Sequence, residues 1–146
     1  DVFLDYGSGM GRVVVLAAMR PFKRVIGVEL SQQLHQIAKH NVNTARANLQ
    51  CADIELHAID ARAFVVPNDV TKCFFWSPFG ETVLEEVLLR IRQSFCKNPR
   101  DVQIIYVYAS GSSCLDPLLP KLQWLKILRH IDLGGNLWQT TCTLRA

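Results

Sequence analysis

The sequence predicts an α/β fold in which a mostly parallel sheet carries helices on both of its faces. Three observations predict this fold. Short apolar runs alternate with segments of helical periodicity, glycines cluster directly after the first apolar run, and a second glycine cluster near the C-terminus separates two strand-like segments. Alternation of this kind requires right-handed crossovers between parallel strands. A length of 146 residues is typical of one domain, and we expect residues 1–146 to form a single domain.

Five strands are predicted from short runs rich in Val, Ile, Phe or Tyr, which are typical of parallel strands buried on both faces. A glycine turn at Gly134-Gly135-Asn136 predicts a hairpin at the end of the chain, with Trp138, Thr140, Cys142 and Leu144 on one face of its last strand. The predicted strands are Val2–Tyr6, Arg24–Glu29, Ile54–Ala58, Val70–Trp76 and Val102–Tyr108, followed by hairpin segments Trp124–Asp132 and Leu137–Arg145.

Helices are predicted between these strands from apolar residues that repeat at three and four positions. Ser31 is an expected N-cap for one helix, and a second runs from Glu81 to Cys96, before Asn98-Pro99. The three valines within Gly11–Met19 alone would favour a strand, but a helix explains the surroundings better because Pro21 ends the segment. We also expect a short helical region between the fifth strand and the hairpin.

Composition and charge exclude several classes of protein. Apolar residues make up 49% of the chain and charged residues 20%, so a folded core is expected rather than disorder. A net charge of +3 is too small to indicate a nucleic-acid partner. No apolar run approaches the ~18 residues of a membrane span, and no signal peptide is visible, so we expect a cytoplasmic protein. The five cysteines form no C-x-x-C pair, which indicates reduced thiols and no metal site.

The most informative motif is the glycine loop after the first strand, where Gly7, Gly9 and Gly11 alternate with other residues. Glycine permits unusual backbone angles and lets a ligand approach the backbone. The following helix directs N–H groups and the positive end of its dipole toward the loop. The motif therefore predicts a site for an extended ligand that carries a carboxylate or a phosphate.

Two residues argue against a dinucleotide as this ligand. Arg12 stands where the G-x-G-x-x-G fingerprint has its third glycine, and Asp5 would repel a pyrophosphate. The Asp5 carboxylate instead suits an ammonium or sulfonium cation. Glu29 ends the second strand, where a carboxylate can accept hydrogen bonds from ribose hydroxyls. Asp60 follows the third strand and could accept a hydrogen bond from an adenine amino group.

With Asp5-x-Gly7-x-Gly9-x-Gly11, Glu29, Asp60 and the terminal hairpin, the sequence resembles the Rossmann-like (class I) S-adenosylmethionine-dependent methyltransferases. The resemblance covers nearly the whole chain and is strongest over residues 2–62. It implies a three-layer fold with a mostly parallel seven-stranded sheet in the order 3-2-1-4-5-7-6, whose seventh strand is antiparallel. It also leads us to expect that an N-terminal helical segment is lacking.

The resemblance implies S-adenosylmethionine as the cofactor and S-adenosylhomocysteine as its product. Asp5 and the glycine loop would hold the methionine part, and Glu29 would hold the ribose. Leu30 would pack against the adenine, which Asp60 and Ala61 would also contact. The implied cofactor-binding residues are Asp5, Gly7, Ser8, Gly9, Gly11, Glu29, Leu30, Asp60 and Ala61.

The end of the fourth strand, Ser77-Pro78-Phe79, is the implied substrate-side segment, and we take Ser77, Pro78 and Phe79 as candidate catalytic residues. Enzymes of this family that methylate amino nitrogens often carry Asn or Asp, then Pro-Pro and an aromatic residue, at this position. The motif is incomplete here, because the segment has one proline and neither an amide nor an acid. Alternatively, Ser77-Pro78-Phe79 is only a turn that ends the strand, since proline has no N–H to continue the hydrogen bonds of the sheet.

The resulting prediction is an S-adenosylmethionine-dependent methyltransferase that acts on an unidentified small molecule or protein, without a metal. The alternative is a non-catalytic module that binds the cofactor or a partner protein, because the sequence contains no convincing general base. A nicotinamide-dependent oxidoreductase is a third possibility, which Arg12 disfavours. We further expect replacement of Glu29 to leave stability almost unchanged, on the assumption that only a ligand satisfies its carboxylate.

Overall fold

A seven-stranded sheet forms the centre of the computed structural model, which describes residues 1–145. Its strands are β1 (Val2–Tyr6), β2 (Arg24–Glu29), β3 (Ile54–Ala58), β4 (Lys72–Trp76), β5 (Gln103–Ala109), β6 (Leu125–Gly134) and β7 (Leu137–Leu144). The strand order is β3-β2-β1-β4-β5-β7-β6. β7 pairs antiparallel with both β5 and β6, whereas β1 with β2, β2 with β3, and β4 with β5 are parallel pairs. Strand order and direction confirm the predicted fold class.

Three α-helices connect the parallel strands: α1 (Arg12–Ala18), α2 (Gln32–Ala45) and α3 (Glu81–Lys97). The helical interpretation of the three-valine segment is confirmed, because it lies in α1. Ser31 caps α2 as predicted, since its Oγ accepts a hydrogen bond from the N–H of Leu34 at 3.3 Å. None of the helices in residues 1–145 combines the length and the hydropathy that crossing a membrane requires.

The expected helical region before the hairpin is wrong, because residues 110–124 form successive turns. Pro117 and Pro120 lie in this segment, and each removes a backbone N–H that a helix would use. The bounds of β4, β5, β6 and β7 also differ from the prediction by one or two residues. Val70 and Val102 are fully buried but precede β4 and β5, so burial without strand pairing explains their apolar character.

The chain divides into two compact units, Asp1–Phe64 and a second that begins at Val65. The first unit contains β1–β3, α1 and α2, and the second contains β4–β7 and α3. That residues 1–146 form a single domain stays a prediction. The largest fully buried side chains are Leu4, Tyr6, Val14 and Ile26 in the first unit, and Phe75, Leu84, Leu88, Ile91, Ile104, Tyr106, Leu115 and Leu118 in the second.

The cysteines are all free, as the sequence predicted. Cys51, Cys73 and Cys142 are buried, whereas Cys96 is exposed and Cys114 is half-buried. Burial raises the pKa of Cys73 to about 12 and that of Cys142 to about 11. These two thiols therefore behave as small apolar core residues at neutral pH.

Candidate functional site

The glycine loop joins β1 to α1 in the first unit. Gly7, Gly9 and Gly11 have φ angles of 71°, 54° and 78°, in the left-handed region that other residues rarely adopt. A Cβ on Gly11 would also lie 3.0 Å from the Cβ of Ala38 in α2. Backbone angle and close packing together therefore require glycine at position 11.

Hydrogen bonds fix the loop against its neighbours. The N–H groups of Gly7 and Ser8 both donate to the carbonyl of Val28 in β2, at 2.9 and 3.0 Å. From α2, the Asn41 Nδ2 donates to the carbonyl of Met10 at 2.9 Å. Sequence analysis missed Asn41, since nothing in its local sequence distinguishes it from other polar positions of a helix surface. The loop is thus held from the strand side and from the helix side.

Asp5 lies in β1 opposite Gly27 of β2. Glu29 is two residues beyond Gly27, so Asp5 and Glu29 project from the same face of the sheet. Asp5 is only 3% exposed. Burial, and secondarily the negative charge of Glu29, raises the pKa of Asp5 to about 8. Asp5 is therefore a buried acid whose ionised form a nearby cation would stabilise.

Gly27 is a second residue that sequence analysis missed. A Cβ at this position would lie 2.9 Å from side-chain atoms of Leu56 and Val14, and 3.0 Å from the Ser8 Oγ. A glycine inside a strand often marks such a close approach, so a signal was present. Gly27 lets the loop residue Ser8 and helix α1 pack closely on β2 beside Asp5.

Glu29 ties the glycine loop to the start of α2. One carboxylate oxygen, Oε2, accepts from the N–H of Gly9, and the other, Oε1, accepts from the N–H of Ser31, both at 2.8 Å. The assumption that only a ligand satisfies this carboxylate is wrong, because the end of β2 lies beside two backbone donors. Each carboxylate oxygen has a second lone pair, so Glu29 can still accept from further hydroxyl groups.

Asp60 follows β3 and lies next to the end of β2, because the N–H of Ile59 donates to the Glu29 carbonyl at 3.0 Å. Its carboxylate pairs with Arg62, whose Nη2 lies 2.6 Å from Oδ2 and whose backbone N–H donates to Oδ1 at 2.8 Å. Hydrogen bonds from Arg62 lower the pKa of Asp60 to about 2. A ligand would therefore share a charged Asp60 with Arg62, which sequence analysis did not include.

Leu30 and Ala61 flank these acids and differ in accessibility. Leu30, directly after β2, is 73% exposed, so its apolar side chain is open to contact. Ala61 is buried, and its side chain offers little surface to a ligand. Contact of either residue with an adenine ring stays a prediction.

Ser77, Pro78 and Phe79 lie at the end of β4 in the second unit. Ser77 has a φ of 38°, an unusual value for a residue other than glycine. Its Oγ lies 3.4 Å from the hydroxyl of Tyr106 in β5, and Phe79 contacts Phe75 edge-on with ring centroids 6.3 Å apart. Burial raises the pKa of Tyr106, so its phenol stays protonated and is not a base for Ser77. Involvement of this strained turn with a substrate stays a prediction.

Within the described residues, no three His, Cys, Asp or Glu side chains are grouped so that they could hold a metal ion. The arrangement in the first unit instead offers carboxylates, glycine-loop backbone and an exposed apolar side chain. Such a set of groups can bind a cationic ligand that also carries hydroxyl groups.

Comparison with known proteins gives two findings about sequence. A family model described as a methyltransferase domain matches residues 3–93. No curated protein matches the sequence.

Several solved structures share the fold. A SAM-dependent methyltransferase from Aquifex aeolicus has a TM-score of 0.78 at 12% identity, over 99% of this chain and 82% of that chain. A ribosomal protein methylase from Lactobacillus delbrueckii subsp. bulgaricus has a TM-score of 0.73 at 17% identity, over 99% and 70%. An RNA methyltransferase from Salinibacter ruber, in complex with S-adenosyl-L-homocysteine, has a TM-score of 0.70 at 20% identity, over 99% and 80%.

Proposed function

The chain belongs to the methyltransferase domain family, and from that membership we propose that it binds S-adenosylmethionine in its first unit and transfers the methyl group to an acceptor. The observation that carries the proposal is the placement of Asp5 and Glu29 on one face of the sheet, beside a glycine loop to which Glu29 is bonded. This placement supports a ligand that combines a positive charge with a ribose diol.

The residues present fit such a ligand. S-adenosylmethionine supplies an activated methyl group on a sulfonium, together with an ammonium group, a ribose and an adenine. Asp5 is a buried acid with a raised pKa, and a cation beside a buried carboxyl stabilises its charged form. A pyrophosphate would instead destabilise the charged form of the Asp5 carboxyl, which disfavours a dinucleotide as the ligand.

Each acid of the site has a distinct proposed role. Asp5, with the carbonyls of Gly7 and Gly9, holds the methionine part through its ammonium group. Glu29 accepts hydrogen bonds from the ribose hydroxyls through the lone pairs that the N–H groups of Gly9 and Ser31 leave available. Leu30 packs against the adenine, and Asp60 with Ala61 contacts its edge.

The proposed catalysis depends on alignment more than on acid–base chemistry. Holding a nucleophile in line with an activated methyl group supplies about 7–11 kcal/mol in well-aligned systems. Ser77, Pro78 and Phe79 are the proposed acceptor-side residues. Because the phenol of Tyr106 stays protonated, we propose an acceptor atom that is already nucleophilic at neutral pH. The acceptor class stays open, since the similar structures include a methylase of a ribosomal protein and an RNA methyltransferase.

A second candidate function is a module that binds the cofactor without turnover. The end of β4 favours it, because the Ser77 hydroxyl contacts the protonated phenol of Tyr106, which cannot act as a base. The two candidates share the cofactor site and differ only in methyl transfer.

Calorimetry and a transfer assay test both candidates. The wild type is titrated with S-adenosylmethionine and S-adenosylhomocysteine, then incubated with methyl-labelled cofactor and pools of metabolites, proteins or RNA. Binding with transfer of label supports the enzyme, and binding without transfer to any pool supports the module. Absence of binding at millimolar ligand would refute both, provided that circular dichroism shows a folded protein. Asp5→Asn is the control variant, and we expect it to weaken binding at least tenfold.

A further inference from the structure

A cluster of rings and polar groups lies on one face of the C-terminal hairpin in the second unit. The strand registers place Trp138 of β7 between Tyr108 of β5 and Asp132 of β6, in one row across the sheet. In the adjacent row, Thr140 of β7 is paired with His130 of β6. Side chains two residues apart on a strand project from the same face, so the two rows share one face. We call these five residues the hairpin cluster.

The imidazole of His130 is held in a fixed orientation within the hairpin cluster. Its Nδ1 lies 2.9 Å from the Oγ1 of Thr140, a residue that is only 1% exposed. Its ring stacks on the indole of Trp138, with centroids 4.9 Å apart and an angle of 17° between the two planes. The ring of Tyr108 lies 6.4 Å from the imidazole. Because stacking and a buried hydroxyl both constrain the imidazole, it forms with the indole a rigid planar platform.

Part of the hairpin cluster is accessible to a ligand. His130 and Asp132 are exposed and Trp138 is half-buried. The Oδ1 of Asp132 accepts a hydrogen bond from the N–H of Gly134 at 2.7 Å, which fixes the carboxylate at the hairpin turn and leaves Oδ2 available. Within residues 1–145, neither a lysine nor an arginine forms an ion pair with Asp132. The cluster therefore combines an accessible ring surface with a carboxylate whose charge is not paired.

A planar cation suits this combination of groups best. Aromatic faces and carboxylates both attract cations. A guanidinium is planar, so it can stack on aromatic rings, and it donates two parallel N–H groups to a carboxylate. An ammonium group is compact and strongly hydrated, and it cannot stack. A nucleobase could stack on the platform, but Asp132 would repel the phosphates of a nucleotide, and the cluster contains no lysine or arginine to bind them.

We propose that the hairpin cluster binds a guanidinium group. The plane of this group stacks on the platform of His130 and Trp138, and its N–H groups donate to the carboxylate of Asp132. The guanidinium belongs either to an arginine side chain of a protein or to a free guanidino compound, and the chemistry of recognition is the same for both. The proposal concerns the second unit alone and is independent of cofactor binding and of methyl transfer.

Heteronuclear NMR of the indole N–H groups tests the proposal. The sequence contains three tryptophans, and the variant Trp138→Phe identifies the signal of Trp138 by its disappearance. The ligands are capped tripeptides with arginine, citrulline or lysine between two glycines, together with methylguanidinium and uridine monophosphate. Citrulline has the shape of arginine without its charge.

Two variants are compared with the wild type in these titrations. Asp132→Asn removes the charge but keeps Oδ1 as an acceptor for the N–H of Gly134, so the turn should be preserved. Asp101→Asn is the matched control, because it removes the same charge at an exposed position before β5. Dispersed backbone N–H signals verify that each protein is folded.

We expect the arginine peptide to shift the signal of Trp138 and to bind at least fivefold more tightly than the citrulline and lysine peptides. Asp132→Asn should lose at least fivefold in affinity for the arginine peptide, and Asp101→Asn should stay within about twofold of the wild type. Methylguanidinium that binds as tightly as the peptide would support a free guanidino compound as the source, and much weaker binding would support a protein arginine.

Three results would overturn the proposal. The first is no shift of the Trp138 signal at tens of millimolar arginine peptide, and the second is an equal loss of affinity in Asp132→Asn and Asp101→Asn. The third is binding of another ligand at least as tight as that of the arginine peptide. The citrulline peptide would then exclude a role of charge, the lysine peptide would indicate an unselective cation site, and uridine monophosphate would indicate a nucleobase site.

Discussion

Replacement of Glu29 by alanine probes the link between the glycine loop and α2. In the structure, this carboxylate accepts hydrogen bonds from the N–H groups of Gly9 and Ser31, both at 2.8 Å. Alanine removes both acceptors and leaves two partly buried backbone donors to find water. We therefore expect Glu29→Ala to destabilise the ligand-free protein, independently of any effect on ligand binding.

The magnitude follows from the two bonds. Hydrogen bonds to a charged group stabilise by about 1.5–3 kcal/mol each, and partial exposure at the site favours the lower part of that range. For the two bonds together, the expected loss in the free energy of unfolding is therefore about 3–4 kcal/mol. For a chain of this length, 1 kcal/mol corresponds to about 3 °C in Tm, so Tm should fall by roughly 9–12 °C.

Thermal unfolding of three ligand-free variants measures the effect. Glu29→Gln keeps one acceptor oxygen, and about half of the loss is expected. Glu55→Ala is the matched control in the same unit, because Glu55 forms a partly exposed ion pair with Arg24 at 2.9 Å. Such pairs contribute about 0–1 kcal/mol. If Glu29→Ala lowers Tm no more than Glu55→Ala does, Glu29 does not hold the loop and the reasoning is refuted.

Three further predictions concern Asp5 and the loop glycines. Because the pKa of Asp5 is raised to about 8 in the folded state and is about 3.9 in the unfolded chain, the folded state retains a proton between these values, and stability falls as pH rises through this range. Asn at position 5 does not titrate, so the Tm of Asp5→Asn should exceed that of the wild type at pH 8 and converge with it near pH 4. A difference in Tm that stays constant between these pH values would contradict the prediction. Binding of a cation beside Asp5 should release a proton from this carboxyl to the buffer. The calorimetric enthalpy of S-adenosylmethionine binding at pH 7 should therefore differ between Tris and phosphate buffers for the wild type and agree between them for Asp5→Asn. Equal enthalpies of the wild type in the two buffers would contradict the proton release. In urea unfolding, Gly11→Ala should lower the free energy of unfolding by about 2–4 kcal/mol, and Gly111→Ala should lower it by about 1 kcal/mol. Both glycines have a positive φ, but only a Cβ at position 11 would contact Ala38. Similar losses for the two variants would show that packing against α2 is unimportant.

Much of the fold could be predicted because burial and backbone pairing coincide in the first three strands. β1, β2 and β3 have the predicted bounds, since each apolar run is also a hydrogen-bonded run. Val70 and Val102 are buried but lie outside the strands that follow them, so burial and strand pairing do not coincide at these two residues. Residues 110–124 form turns rather than the expected helical region, because Pro117 and Pro120 lack the backbone N–H that a helix would use.

The candidate site was predictable at the level of residue types and less so at the level of contacts. Alternate glycines and strand-end acids can be identified from spacing, and the register of β1 with β2 places Asp5 and Glu29 on one face. The bond between Glu29 and the N–H of Gly9 joins residues 20 positions apart, so local sequence carries no signal for it. The Asp60–Arg62 pair was visible as an acid and a base two residues apart, but only coordinates show that the pair forms.

A competitive calorimetric titration of the wild type tests the central claim most directly. S-adenosylmethionine and NAD⁺ are each titrated into the protein at pH 7.5, and S-adenosylmethionine is then added in the presence of NAD⁺. A buried acid beside the glycine loop should favour the cation over the pyrophosphate, so we expect binding of S-adenosylmethionine at least a hundredfold tighter and unaffected by millimolar NAD⁺. Tighter binding of NAD⁺, or its displacement of S-adenosylmethionine at comparable concentration, would contradict the assignment of Asp5 as the group that selects a positively charged adenosyl ligand.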